Sequence, residues 1–315
     1  MEIGYSLSSE EMRPAEMVRC ARRAEEVGFD SVTVSDHFHP WIDRQGQSPF
    51  VWSVIGGIAS VTERVKVGTT VTCPTVRVHP AIVAQAAATA ADMAPGRFFL
   101  GVGTGEALNE HITGARWPET AVRLEMLEEA VEVIRLLWQG GMQSHHGRHY
   151  TVENARIYTL PAELPPIYVS AFGPKAMEVA ARIGDGYVGT QPDAQLLRQY
   201  GASGGRGPKV GGVKVCWHED EDQARKLAHD LWPTIGVPGE LGQELPTPAH
   251  FEQAASRVGV DDVADTIACG PDPERHAQSI RRYAEAGYDE VSVQQIGPDQ
   301  EGFFRFFADE VRPRL

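Results

Sequence analysis

The sequence predicts an α/β fold: a (β/α)8 TIM barrel formed by residues 1–315 as one domain, with insertions at about 143–164 and 233–258. Three observations lead there. Strand-like and helix-like segments alternate along the whole chain, the pattern of parallel strands joined by helical crossovers. Eight strands can be placed, and 315 residues suit one barrel of roughly 250 residues plus insertions. Polar and aromatic groups cluster just after strand-like runs, where barrel enzymes carry their reactive side chains. A doubly wound sheet is the competing reading of the same alternation.

Ile3–Leu7 reads as the first strand and Glu11–Glu26 as its helix, ended by Gly28. Ser31–Ser35, compact and β-branched, is the second strand. Phe50–Glu63 is a helix, Val65–Val71 the third strand, Pro80–Met93 an alanine-rich helix and Phe98–Val102 the fourth strand. Thr120–Gln139 is a long amphipathic helix with Leu124, Leu127, Ala130, Val131, Ile134 and Leu137 on one face. The pattern then breaks into a β-excursion with turns. Ile167–Ser170 is the fifth strand, Lys175–Ile183 its helix and Tyr187–Gly189 the sixth strand. Gly201–Gly212 reads as a glycine-rich mobile loop. Val213–Trp217 is the seventh strand and Glu221–Trp232 its helix. Pro233–His250, with four prolines and three glycines, reads as an insertion or lid. Pro273–Ala286 is a helix, Glu290–Gln294 the eighth strand and Phe303–Val311 the closing helix.

A formal net charge of −14 argues against nucleic acid and anionic membranes as partners. No run reaches the ~18 apolar residues of a membrane span, and the chain opens directly on a strand, so no leader peptide is expected. The four cysteines, Cys20, Cys73, Cys216 and Cys269, have no paired spacing, which suits reduced thiols in a cytoplasm.

The second strand runs into Ser35-Asp-His-Phe-His-Pro-Trp41. A histidine there, beside a carboxylate and near an indole, can take a proton from a hydroxyl; the competing reading is a structural histidine in a turn. His37 and His39 have metal-ligand spacing, but His218 is the only evident further ligand, and His145-His146-Gly147-Arg148-His149 lies in the irregular excursion. No metal is therefore expected. Thr69-Thr-Val-Thr-Cys-Pro74 ends the third strand; its threonines reflect β-propensity or face a ligand. Gly101-Val-Gly-Thr-Gly-Glu-Ala-Leu-Asn109 lets backbone approach a flat ring or a phosphate, but it is not the dinucleotide fingerprint, and no helix is expected to start there at once. Ser170-Ala-Phe-Gly-Pro-Lys175 offers backbone N–H groups at a helix start.

Taken together, Ser35–Trp41, Thr72-Cys-Pro-Thr75, His79-Pro-Ala-Ile-Val-Ala-Gln85 and Gly101–Glu110 resemble the coenzyme F420-dependent branch of the luciferase-like superfamily, within it the glucose-6-phosphate dehydrogenase and alcohol dehydrogenase-like group. The resemblance implies a deazaflavin lying across the barrel mouth among Asp36, Thr70, Val71, Cys73, Gly105 and Asn109, with a non-prolyl cis peptide at Thr70–Val71. It implies that Ala171, Phe172 and Gly173 hold the phosphate-bearing tail, with Phe172 replacing the family's usual small residue. It assigns His37 as base for a substrate alcohol, Trp41 as the group holding that alcohol, and Glu106 as the carboxylate of the proton balance. Glu10, Thr190 and Trp217 are expected at the substrate, Glu10 being equally readable as a solvated residue of the first helix. A homodimer is expected by analogy.

Sugar-phosphate members of the family carry a lysine after the sixth strand and further basic residues in the later insertion. Here Gln191-Pro-Asp193 follows Thr190, no Lys or Arg lies between Lys226 and Arg257, and Thr266 stands where an arginine is expected. A phosphate dianion wants charge-assisted, bidentate donors, so an uncharged alcohol, or the matching ketone or enone, is the expected substrate. The alternatives are an FMN-dependent monooxygenase of the same superfamily, a sugar-6-phosphate dehydrogenase with a rebuilt phosphate site, a metal hydrolase, and a flavin-binding barrel without chemistry.

Overall fold

A computed structural model describes residues 1–315. Eight parallel strands form the barrel: β1 (Glu2–Leu7), β2 (Ser31–Val34), β3 (Lys66–Thr69), β4 (Phe98–Val102), β5 (Ile167–Ser170), β6 (Gly186–Gly189), β7 (Lys209–Cys216) and β8 (Glu290–Gln295). Each pairs with the next in this order. The ring closes where β8 returns to β1, with Glu290 opposite Glu2 and Val291 opposite Ile3.

Strand alternation sets the two surfaces. Val32, Val34, Val67, Leu100, Val102, Val169, Val213, Val215, Val291 and Val293 are buried in one core with the surrounding helices. Many inward positions are small or polar, and two aromatic rings fill part of the interior. Thr33 Oγ1 lies 2.8 Å from Ser292 Oγ, Ser31 donates to Glu290, and a Cβ on Gly4 would strike Ser31. Phe99 and Tyr168 stack 4.8 Å apart, and Gly68 makes room for the Phe99 ring.

Local chemistry sets the helix ends. Pro80 opens the helix Pro80–Met93, with the His79 ring accepting from Ala81 N. Asp272 caps Pro273–Ala286, which ends at Gly287 with φ 103°. The excursion is an antiparallel hairpin, Gln143–His146 with Thr151–Ala155.

Four expectations change. The first helix begins at Pro14, so Glu10 and Glu11 precede it, and both are drawn into the barrel mouth. A short helix, Ala107–Glu110, follows Glu106 directly, although none was expected there. The supposed glycine-rich loop holds the end of a helix, Ala194–Ala202, and the start of β7 at Lys209. Gly211 belongs to that strand because the Tyr283 and Tyr288 rings pack where its Cβ would stand. Finally, a two-residue strand, Ala268–Cys269, pairs outside β7, and the closing helix starts at Gln300.

Candidate active site

The ends of β2, β3 and β4 converge at the C-terminal mouth of the barrel. The Thr70–Val71 peptide is cis, and regular pairing of β3 stops at Thr69 before Thr72 bridges back to Val102. The glycines of β4 make room for this bulge: a Cβ on Gly101 would strike the Thr69 carbonyl, and one on Gly103 would sit 2.9 Å from Val71 Cγ2. Gly105, at φ 77°, leaves space for Cys73. Burial holds the Cys73 thiol well above its ordinary pKa, and its Sγ lies 2.9 Å from Thr75 Oγ1.

Asp36 lies beneath this bulge. Its Oδ2 accepts from Thr72 Oγ1 at 2.9 Å and its Oδ1 from Arg77 Nη2 at 2.9 Å. Arg77 also reaches Glu110, whose Oε2 accepts from Arg77 N at 2.7 Å. Burial raises the Glu110 carboxyl while Arg77 opposes the rise. Arg77 was absent from the sequence reading, and Glu110 entered it only as the end of the Gly101–Glu110 string, with no role. They are 33 residues apart, and only the fold joins them.

His37 is held on two sides. Its Nδ1 donates to the His39 carbonyl at 3.2 Å and lies 3.6 Å from Glu10 Oε1. This arrangement places the proton on Nδ1 and leaves the Nε2 lone pair free. Trp41 packs against it with ring centroids 5.0 Å apart. Glu10 is 2 % exposed, and its Oε2 accepts from Ser8 Oγ at 2.8 Å and Ser35 Oγ at 3.1 Å. It is therefore a buried carboxylate facing His37 and not a solvated helix residue.

Asn109 holds the loop behind His37: its Oδ1 accepts from Phe38 N at 2.9 Å and His39 N at 3.2 Å. Its amide nitrogen donates to Glu106 Oε2 at 3.3 Å, which ties Glu106 to the same loop. His39 donates through Nδ1 to the Leu108 carbonyl, which takes it away from any joint site with His37. No cluster of three or more His, Cys, Asp or Glu side chains is arranged to hold a metal ion.

On the far side of the mouth, Ala171 is buried and its carbonyl accepts from Tyr187 Oη. Phe172 is exposed, and nothing lies within 4 Å of the Cβ position of Gly173, the N-cap of helix Pro174–Ile183. Thr190 follows β6, its carbonyl accepting from Tyr283 Oη and its side chain exposed. Trp217 is not brought to the mouth. Its ring stacks on Phe306 at 5.6 Å and packs over Gly302, on the outer side of the barrel.

A second tryptophan that reaches this region beside Trp41 is Trp232. Its Nε1 donates to Glu11 Oε1 at 2.6 Å, and Lys214 Nζ lies 4.3 Å from its ring centroid. Glu11 also accepts from Gly297 N at 2.9 Å. Gln45 accepts from Trp41 N at 2.8 Å and donates to the Leu231 carbonyl at 2.9 Å, joining the two aromatic walls. The insertion closes over them: Phe251 meets Trp41 edge-on at 5.1 Å, and fully buried Arg123 anchors the segment through Glu244 at 2.9 Å. Lys214 had a visible signal, a charged residue at the inward position between two outward valines.

Residues 1–290 match the family of luciferase-like monooxygenases. An F420-dependent glucose-6-phosphate dehydrogenase of Microbacterium testaceum (strain StLB037) is 36% identical, over 100% of this chain and 97% of that protein. One of Nocardia farcinica (strain IFM 10152) is also 36% identical, over 100% and 98%. Among solved structures, an F420-dependent secondary alcohol dehydrogenase in complex with an F420-acetone adduct superposes with a TM-score of 0.92 at 31% identity, covering 100% of this chain and 99% of that one.

Proposed function

The chain belongs to the luciferase-like monooxygenase family, and from its likeness to F420-dependent dehydrogenases we propose that it is an F420-dependent oxidoreductase acting on an alcohol that carries no phosphate, or on the matching carbonyl compound. The observation that carries the chemistry is the His37 arrangement: Nδ1 tied to the His39 carbonyl, Nε2 free, Trp41 alongside and the Glu10 carboxylate facing the ring. When bound, F420 supplies the carbon that accepts or returns the hydride.

The residues present fit that cofactor. Gly101 and Gly103 let the Val71 bulge seat closely on β4, and the open space at Gly173 leaves the start of a ten-residue helix accessible. Helix N-termini suit phosphate groups, which fits a tail held by Ala171, Phe172 and Gly173. Asp36, Thr70, Val71, Cys73 and Gly105 would border the ring, with Asn109 fixing the loop beside it.

His37 Nε2 takes the hydroxyl proton as the carbinol carbon gives up hydride, and the facing Glu10 carboxylate offsets the charge the ring acquires. Trp41 walls the position of the alcohol. Glu106, partly exposed and held by Asn109, can exchange a proton with solvent at the cofactor side.

The cations near the mouth are either paired or outnumbered by neighbouring carboxylates, which supports a substrate without phosphate. Arg77 serves Asp36 and Glu110, Arg44 is paired with Asp230, and Lys214 has Glu10 and Glu11 as its neighbouring charges. Asp193, after β6, is the N-cap of the next helix and adds negative charge there. Steady-state turnover with F420 should favour a small secondary alcohol over glucose 6-phosphate by at least about tenfold in kcat/KM, the scale of one hydrogen bond to a charged group. Glucose 6-phosphate matching or exceeding the alcohol would overturn the substrate assignment.

A further inference from the structure

Lys214 is an inward-facing cation in the middle of β7, between Val213 and Val215 of the outer core. Its ammonium rests 4.3 Å from the centroid of the Trp232 ring. It is paired with no carboxylate or carbonyl, whereas the polar groups around it are engaged. Glu10 accepts from Ser8 and Ser35, Glu11 from Trp232 and Gly297, and Gln45 bonds Trp41 and Leu231. Burial lowers the lysine's pKa while Glu10 and Glu11 oppose the fall. Lys214 is half-buried, so its ammonium keeps part of its hydration but has no protein acceptor, and a ligand oxygen can complete its hydrogen bonding. Space for one exists: Gly212, inward on the same strand, has only the Gly189 carbonyl near its Cβ position, at 3.8 Å.

The local charge narrows what that ligand is. Two carboxylates face one ammonium, so a further anion would be repelled. A hydroxyl suits the position, because its oxygen accepts from Lys214 while its proton remains available to a carboxylate. We propose that Lys214 is a specificity-determining residue that binds a second hydroxyl of the substrate, so that the preferred substrates are diols or higher polyols oxidised at one carbinol carbon beside His37. This inference rests on the alcohol-oxidising function proposed above.

The test compares matched pairs with F420, 2-butanol against butane-1,3-diol and 2-pentanol against pentane-1,4-diol, in wild type, Lys214→Met and Lys214→Gln. In wild type at least one diol should exceed its parent alcohol by about tenfold in kcat/KM, as expected for a hydrogen bond to a charged group. In Lys214→Met that ratio should fall to about one, and Lys214→Gln, which keeps a neutral donor, should retain part of it. A purely structural lysine would scale both members of a pair together and leave the ratio intact, which would overturn the proposal. Absence of any diol preference in wild type overturns it without recourse to a variant, should Lys214→Met fail to fold. Turnover of monools without that preference removes this inference alone; failure to oxidise any of these alcohols removes the underlying function with it.

Discussion

Replacing His37 with alanine should lower kcat/KM for alcohol oxidation by about 10²–10⁴-fold, the range for a positioned general base. The loss should appear in kcat, because the ring is proposed to act on the proton that leaves with the reaction. The structure supports so large an effect because no other nitrogen base is poised at the same place. His39 is committed to the Leu108 carbonyl, and Glu10 has one oxygen occupied by two serine hydroxyls. Steady-state kinetics with F420 and a secondary alcohol check this, and added imidazole should restore part of the lost rate. Unchanged turnover in the variant would remove His37 as the base.

The second large effect is expected at Arg77. Its guanidinium is the one cation bonded to Asp36 and Glu110, whose side chains are each only 1% exposed. Arg77→Met would leave two buried carboxylates without their counter-charge. Breaking a buried pair from one side costs about 3–5 kcal/mol, and here it would also free Asp36 beneath the bulge of β3. Urea denaturation at neutral pH should show that loss, with weaker retention of F420 in fluorescence titration. Wild-type stability in Arg77→Met would mean that the triad contributes little to the site.

Much of the barrel was legible in the chain because its outward strand positions are β-branched and its helices carry distinct ends. β2 and β4 can be read residue by residue. The glycine-rich stretch before β7 misled because glycine composition reads as mobility, whereas Gly211 is small so that two tyrosine rings can pack over it. Trp217 was assigned to the substrate from its place after a strand. Its parity places it with Val213 and Val215, on the side that packs against Phe306. Lys214, one step out of that phase, points inward. The His37 loop was readable as a local string, but its supports were not: Asn109 lies 71 residues from the Phe38 amide it holds, and Glu11 lies 221 residues from the Trp232 indole. Contacts at such separations leave no periodic trace in one sequence.

Following a label tests the central claim most directly. The enzyme is mixed anaerobically with oxidised F420 and a secondary alcohol deuterated at its carbinol carbon, and the reduced cofactor is recovered. The expected result is reduction with deuterium at C5 of the deazaflavin, and a slower rate than with the unlabelled alcohol. Reduction with no label in the cofactor, or turnover that requires FMN and oxygen instead of F420, would contradict it.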